Sequence, residues 1–236
     1  MIATIENVLT IDVNYGMMDL ELALIVPPSE GKPNLMPRRR KQSNKSPHQP
    51  LHYRKQLKPK TENQREYIIS MVESEITFCS GPAGSGKTAV AVGLASEYLL
   101  SKKVDRIIIS RPVVEAGRGL GYLPGSLTDK VQPYLMPIIE ELNLFLSRET
   151  VNSFRSMGKI ELCPLEYMRG RNFHGCFMIL DEAQNATYEQ IKMFITRIGQ
   201  ESKAIINGDL YQTDLASNEA GALSRCMDKL KNVDGV

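Results

Sequence analysis

The feature that most constrains this chain is the stretch SGPAGSGKT at residues 80–88. Four of its residues fill the pattern G-x-x-x-x-G-K-[ST], which binds phosphate groups when a strand precedes it and a helix follows it: Gly81, Gly86, Lys87 and Thr88. Residues 75–79 (EITFC) are β-branched and aromatic, and residues 89–100 are rich in alanine, leucine and valine without a proline. The loop is therefore predicted to lie between a buried strand and a helix N-terminus, where backbone N–H groups attract an anion.

This loop predicts a bound nucleoside triphosphate. The residues expected to surround the phosphates are Gly81, Pro82, Ala83, Gly84, Ser85, Gly86, Lys87 and Thr88. Lys87 is expected to place its ammonium group on the β and γ oxygens, and Thr88 is expected to offer its hydroxyl to Mg²⁺. The alternative interpretation is a chance glycine-rich turn, which the ordered motif and its flanking elements disfavour.

The charge of the chain is unevenly distributed. The 236 residues allow one large domain or two small ones and carry a net charge of +2. Residues 32–60 hold ten of the 29 basic residues and no acid, which leaves 19 basic against 27 acidic residues elsewhere. This segment is predicted to be a flexible arm that contacts nucleic acid phosphates. A merely solvated linker is the alternative, because Tyr53 alone offers a ring for stacking on bases.

Cysteines and histidines suggest neither a disulfide framework nor a zinc site. The widely spaced cysteines are Cys79, Cys163, Cys176 and Cys226, and the scattered histidines are His48, His52 and His174. The N-terminus lacks the pattern of a secretory signal, and no stretch approaches the ~20 apolar residues of a membrane span. We therefore expect a soluble protein of a reducing compartment, without a membrane partner.

The pattern along the chain predicts three parts. Residues 1–26 are expected to form a small β-hairpin, residues 27–60 the basic arm, and residues 61–236 an α/β domain. In that domain, strands are predicted at residues 75–79, 106–110, 159–163, 176–180 and 203–207. Helices are predicted at residues 61–74, 89–100, 133–146 with Pro133 in the first turn, and from a Thr187–Gln190 capping box to a stop at Gly199. This alternation predicts an open parallel sheet flanked by helices.

Polar residues follow three of the predicted strands, where ligands bind in such sheets. Asp181 ends a wholly apolar strand and is expected to organise Mg²⁺, and Glu182 beside it is placed to polarise an attacking water. The alternative is that these acids cap the next helix, but Thr187 already supplies that cap. Gln212, after Gly208 and Asp209, is expected to sense the γ-phosphate, although a surface turn residue is the alternative.

Eight segments of this domain resemble, in order, those of the PhoH-like ATPases, which are related to the nucleotide-binding half of superfamily 1 helicases. They are GPAGSGKT, SRPVVEAG, LGYLPG, PYLMP, YMRGR, ILDEAQN, EQIKMFITRIG and GDLYQTDL, and the match covers about residues 60–215. The resemblance implies a P-loop NTPase fold of the RecA/helicase type, hydrolysis of ATP with Mg²⁺, and a role on RNA. It also implies that Gln64 contacts adenine, that Asp181 and Glu182 are the metal-organising and catalytic acids, and that Gln212 is the helicase-type glutamine. Family distribution suggests the cytoplasm of a bacterial cell or of a phage-infected host.

The chain departs from the family pattern at several points. Arg118 stands where the family's loop commonly has a glutamate, and nothing in the first 60 residues resembles the nuclease partner of some relatives. The chain stops at NVDGV, where relatives usually have one more strand, so a truncated product is expected. No second motor domain supplies an arginine to the γ-phosphate. We therefore predict that Arg169 or Arg171 of a neighbouring subunit serves in a ring-like homo-oligomer.

Three functions fit these residues. The first is an Mg²⁺-dependent ATPase that acts on, or is regulated by, single-stranded RNA or DNA, with Arg111, Arg118 and the basic arm as contacts. The second is a P-loop kinase, which Glu182 disfavours because a water-activating base would waste ATP. The third is a nucleotide-gated scaffold with negligible turnover.

Overall fold

The computed structural model describes residues 54–112, 127–215 and 221–236. Within these ranges six α-helices and five strands follow one another along the chain. The helices are α1 (Glu62–Glu73), α2 (Lys87–Leu100), α3 (Leu127–Phe145), α4 (Arg148–Ser156), α5 (Tyr188–Ile195) and α6 (Ala222–Leu230). The strands are β1 (Ile76–Ser80), β2 (Arg106–Ser110), β3 (Ile160–Leu162), β4 (Cys176–Leu180) and β5 (Lys203–Gly208). None of the described helices is long and apolar enough to cross a membrane.

The five strands form one parallel sheet in the order β1-β5-β4-β2-β3. Strand β5 therefore lies between β1, which leads into the phosphate loop, and β4, which leads into Asp181. Register fixes their ends at one edge, because Ser80 is opposite Gly208 and Leu180 is opposite Ile206. The three strand ends that carry the predicted site residues are thus neighbours.

Helices cover both faces of the sheet, because the central strands are apolar on both sides. On one face Ile107, Phe177, Ile179 and Ile205 pack with residues of α1 to α4. On the other face the alternate strand residues pack with α5 and α6, for example Met178 and Ile206 with Leu223. This is the open parallel sheet flanked by helices that was predicted, and it confirms the α/β fold class.

Two helix boundaries differ from the prediction by several residues. Helix α3 starts at Leu127, so Pro133 lies inside the helix rather than in its first turn. Helix α5 ends at Ile195 with Thr196 as its C-cap, so Gly199 is not its stop. The capping box is confirmed, because Thr187 accepts from the Gln190 backbone N–H and the Gln190 side chain accepts from the Thr187 N–H. Helices α4 and α6 were not predicted.

Several predicted features lie outside the described residues. They are the hairpin at residues 1–26, most of the basic arm, Arg118 and most of the glycine-rich loop that follows Arg111. The last residues predicted for the arm are described, and they contact the α/β domain. The Arg54 N–H donates to the Phe145 carbonyl at 2.8 Å, and the Leu57 N–H donates to Glu97 at 3.0 Å.

Candidate functional site

The phosphate loop connects β1 to α2 in a left-handed backbone that glycine tolerates. Gly84 has a φ of 75° and Gly86, the N-cap of α2, has a φ of 86°. The Gly81 N–H donates to the Gly208 carbonyl at 3.2 Å, which fixes the start of the loop to β5. No side chain caps the N-terminus of α2, so the backbone N–H groups of its first turn face outward, as an anion site requires.

Polar groups inside the loop fit a triphosphate. The Lys87 ammonium donates to the carbonyl oxygens of Gly81 at 2.5 Å and of Pro82 at 3.0 Å, so it lies within the curve of the loop. The Ser85 hydroxyl is buried and has no hydrogen-bond partner among the described residues. A cation and an unsatisfied donor that converge on one loop are the groups that phosphate oxygens accept from.

Gln64 lies against the phosphate loop. Its Nε2 donates to the Ser85 carbonyl at 3.0 Å, and its Oε1 accepts from the Lys60 N–H at 2.8 Å. A Cβ added to Gly86 would lie 2.8 Å from that Nε2, so glycine is needed there for close approach as well as for φ. The structure therefore places Gln64 beside the loop, while contact with adenine stays a prediction.

Thr88 and Asp181 form the pair of oxygen ligands predicted for Mg²⁺. The Thr88 hydroxyl donates to Asp181 Oδ1 at 2.7 Å, and Asp181 is 4% exposed at the end of β4. Burial raises the pKa of the Asp181 carboxyl, while the hydrogen bond from Thr88 and the charges of Arg111 and Lys87 oppose that rise. A hydroxyl and one carboxylate fit Mg²⁺, which binds few protein ligands and completes its shell with phosphate oxygens and water. No group of three or more acids, histidines or cysteines among the described residues offers a cage by itself.

Glu182 is held by two neighbours in a backbone conformation that is rare for glutamate. Its φ of 55° and ψ of 41° lie in the left-handed region, which costs about 1–3 kcal/mol. Arg111 at the end of β2 forms an ion pair with Glu182 Oε1 at 3.2 Å, and the Gln184 amide donates to Oε2 at 2.5 Å. The carboxylate is thus positioned from both sides at the same edge as Asp181.

Gln184 also joins the acidic turn to the segment that carries Gln212. The Asp209 N–H donates to the Gln184 side chain at 3.0 Å, and the Thr213 hydroxyl donates to the Gln184 carbonyl at 3.1 Å. The Gln212 N–H donates to the Asp209 carbonyl at 3.3 Å, and the Gln212 side chain is exposed. Gln212 therefore lies at the predicted edge of the sheet, and its role as a sensor stays a prediction.

The two arginines predicted to act between subunits follow the edge strand opposite to the phosphate loop. Both follow β3, the edge strand farthest from β1. Arg171 forms a two-pronged ion pair with Glu161, at 2.5 and 2.8 Å, whereas Arg169 is exposed. None of the ion pairs in the described part of the chain includes Arg169.

Sequence reasoning missed three side chains at the site. It named Arg111 as a nucleic-acid contact, which stays a prediction, and did not foresee the ion pair of Arg111 with Glu182. It did not single out Gln184, which lies in the DEAQN segment two residues after Glu182, and it did not single out Glu141 on α3. Burial raises the pKa of Glu141, and the negative charge of Asp181, the predicted metal ligand, raises it further.

Comparisons with known proteins show which family this chain resembles. A family model described as PhoH-like protein matches residues 56–236. The chain is 47% identical over 180 residues to a PhoH-like protein of Synechocystis sp., which covers 76% of this chain and 55% of that protein. It is 44% identical over 182 residues to a PhoH-like protein of Bacillus subtilis, which covers 77% of this chain and 57% of that protein. The chain thus spans about half the length of these relatives.

Among solved structures, the large terminase of the thermophilic bacteriophage D6E superimposes with a TM-score of 0.45 and 12% sequence identity. The superposition covers 73% of this chain and 43% of the terminase.

Proposed function

The chain belongs to the family of PhoH-like proteins, and from this membership and the geometry of the site we propose that it binds ATP with Mg²⁺ and hydrolyses the ATP. The observation that carries the proposal is the 2.7 Å contact of Thr88 with Asp181, with Glu182 as the next residue. This contact joins the phosphate loop to the strand that ends in the two acids. A loop that only held a phosphate would have no use for a second, positioned carboxylate.

Each residue has a part in this proposal. The α2 N–H groups and Lys87 bind the triphosphate, and Lys87 exchanges its two loop carbonyls for phosphate oxygens. Thr88 and Asp181 hold Mg²⁺, which neutralises charge on the phosphates when it is bound. Glu182 accepts the proton of the attacking water, and Arg111 and Gln184 orient its carboxylate.

We extend the proposal to single-stranded RNA or DNA as the partner that the ATPase acts on or that regulates it. The support is the run of ten basic residues without an acid at residues 32–60, together with the helicase-like pattern of the motifs. We place the protein in the cytoplasm of a bacterial cell or of a phage-infected host. A homo-oligomeric ring belongs to the same proposal, with the exposed Arg169 as the candidate contact between subunits.

The substitution Glu182→Gln tests hydrolysis. The variant is expected to bind ATP like the wild type and to release phosphate roughly 10²–10⁴-fold more slowly, because it loses the general base. Glu189→Gln, an exposed acid in the first turn of α5, is the matched control. Equal phosphate release by Glu182→Gln and the wild type would refute the proposal and favour a scaffold, whereas ³²P on an acceptor in place of free phosphate would favour a kinase.

Partner binding is tested by steady-state hydrolysis with single-stranded RNA, single-stranded DNA and duplex over a series of salt concentrations. Stimulation by a single strand that fades as salt rises is expected, because counterion release drives binding to phosphates. If no nucleic acid stimulates the enzyme at low salt, the nucleic-acid part of the proposal is wrong and the ATPase part stands.

A further inference from the structure

A buried hydrogen bond connects the helix that carries Gln64 to the strand between the two halves of the site. The Tyr67 hydroxyl, one turn after Gln64 on α1, donates to Asn207 Oδ1 at 2.5 Å. Tyr67 is 7% exposed and Asn207 is fully buried. Burial raises the pKa of Tyr67, and the charge of Asp181 adds to that rise, so the hydroxyl keeps its proton and remains a donor.

Asn207 lies between the phosphate loop and the metal-organising acid. It is the last residue but one of β5, opposite Cys79 on β1, and β1 runs one residue later into Ser80 and the loop. On the other side Leu180 is opposite Ile206, so Asp181 occupies the level of Asn207.

The side-chain amide of Asn207 uses its oxygen in a hydrogen bond but not its nitrogen. Its oxygen accepts from Tyr67, while Nδ2 is buried and has no hydrogen-bond partner among the described residues. A buried N–H donor without a partner is costly, so such groups in native proteins commonly serve a site. Here the donor lies at the edge where triphosphate oxygens are expected.

Helix α1 is also fixed to β5 at its other end and to the phosphate loop. The Lys203 ammonium donates to the carbonyls of Val72 at 2.9 Å and of Ser74 at 2.7 Å, which caps the C-terminus of α1. Gln64 donates to Ser85 in the loop. The helix that is expected to contact the base therefore cannot shift without moving the loop or β5.

We propose that Asn207 binds the triphosphate directly and that Tyr67 is the positioning residue for Asn207. Tyr67 holds the Asn207 side chain from α1, so that Nδ2 donates to an oxygen at the γ-phosphate end, between the phosphate loop and Asp181. The pair thereby couples the position of α1, which is expected to contact the base, to the γ-phosphate, the group that ATP has and ADP lacks. This proposal rests on the proposed function, because it assigns two more residues to the same nucleotide.

The substitution Tyr67→Phe tests the pair, since it removes one hydroxyl and keeps the buried ring. We expect kcat to fall about tenfold, as for one lost hydrogen bond, with KM within about twofold of the wild type. We also expect the preference for a non-hydrolysable ATP analogue over ADP, from titrations of fluorescent nucleotides with Mg²⁺, to fall by a similar factor. Tyr98→Phe on α2, whose ring packs on Phe177 in the same core, is the matched control and should keep both values.

Asn207→Ser provides a second variant that is small enough to fit. It is expected to show the same losses, and the double variant is expected to lose no more than Asn207→Ser alone, because the two side chains act as one unit. The proposal is overturned if Tyr67→Phe keeps the wild-type kcat and nucleotide preference, whatever its melting temperature. It is also overturned if the two losses add. A wild type that neither binds nor hydrolyses ATP would instead refute the proposed function.

Discussion

At the scale of single residues, the orientation of the Glu182 carboxylate depends on its ion pair with Arg111. Without Arg111, the Glu182 carboxylate would keep the hydrogen bond from Gln184 and would face the charge of the adjacent Asp181. We therefore predict that Arg111→Ala lowers the basal kcat roughly 10- to 100-fold, the value of one hydrogen bond to a charged group, and leaves ATP affinity nearly unchanged. Phosphate release without nucleic acid measures this, with Arg155→Ala on α4 as the control.

The opposite result for Arg111 is equally informative. If Arg111→Ala keeps its basal kcat and loses only the stimulation by single-stranded RNA or DNA, then Arg111 contacts nucleic acid, as its sequence position suggests. The ion pair with Glu182 would in that case not position the base.

Gly86 provides a second test at this scale, because it combines backbone strain with close approach to Gln64. We predict that Gly86→Ala loses about 1–2 kcal/mol of unfolding free energy from the left-handed φ and weakens nucleotide binding at least about tenfold by displacing Gln64. Gly158→Ala is the control, because Gly158 has a φ of 69° and no atom within 4 Å of an added Cβ. It should lose similar stability and keep its affinity, as urea unfolding and nucleotide titration will measure. Equal affinities for both variants would contradict the role of Gln64.

At the scale of elements, the strands were easier to predict than the helices. The isoleucine run of β2 (RIIIS) and the wholly apolar β4 (CFMIL) predicted strands, and their predicted bounds match the structure. Helix α4 has three buried residues, Thr150, Val151 and Phe154, and α6 begins at a left-handed glycine rather than at a side-chain cap. Three buried residues, or a start without a side-chain cap, predict a helix only weakly in a single sequence, because tertiary packing supplies most of the stability of short helices.

The residues of the site that follow strands were predictable from the sequence, but their contacts with other elements were not. The phosphate loop, Asp181 and Glu182 follow strands and could be placed at one edge of the sheet from the sequence. The contacts of Arg111 with Glu182 and of Tyr67 with Asn207 could not, because each depends on which strands or helices are neighbours. Strand order comes from tertiary packing and is not contained in the local pattern.

The edge strand β3 depends on a charge pair that pH controls. The hydrogen bond from Arg171 holds the pKa of Glu161 below its ordinary 4.5. The pair therefore stabilises the fold above that pH, and its contribution is lost as pH falls through the lowered pKa. Because both side chains are about a third exposed, the contribution is at most about 1 kcal/mol.

We predict that Glu161→Gln melts at a lower temperature than the wild type near neutral pH, and that this difference shrinks below pH 4.5. Thermal unfolding over a pH series measures the difference. Glu62→Gln, which removes an exposed pair with Arg65 at 3.9 Å, should show little difference at any pH. A Glu161→Gln difference that stays constant down to the most acidic buffer would contradict the assignment.

At the scale of the whole molecule, the proposed homo-oligomer brings a cation from a neighbouring subunit to the γ-phosphate. Arg171 is engaged by Glu161 in its own chain, whereas Arg169 is exposed, so Arg169 is the better candidate for a contact between subunits. If each site is built from two subunits, Arg169→Ala and Glu182→Gln damage different sides of it. We predict that each variant alone hydrolyses ATP poorly and that an equal mixture recovers about a quarter of wild-type activity, the fraction of interfaces with both sides intact.

Arg171→Ala separates this arrangement from a general loss of structure. It leaves Glu161 without its partner, so it should lower the melting temperature while its basal activity stays near that of the wild type. Sedimentation of each variant must show the same oligomer as the wild type, because exchange of subunits underlies recovery in the mixture. Full activity of Arg169→Ala alone, or a mixture that stays inactive although mixed oligomers form, would show that the site is completed within one chain. The cation would then be sought among residues close to Glu182, with Arg111 first.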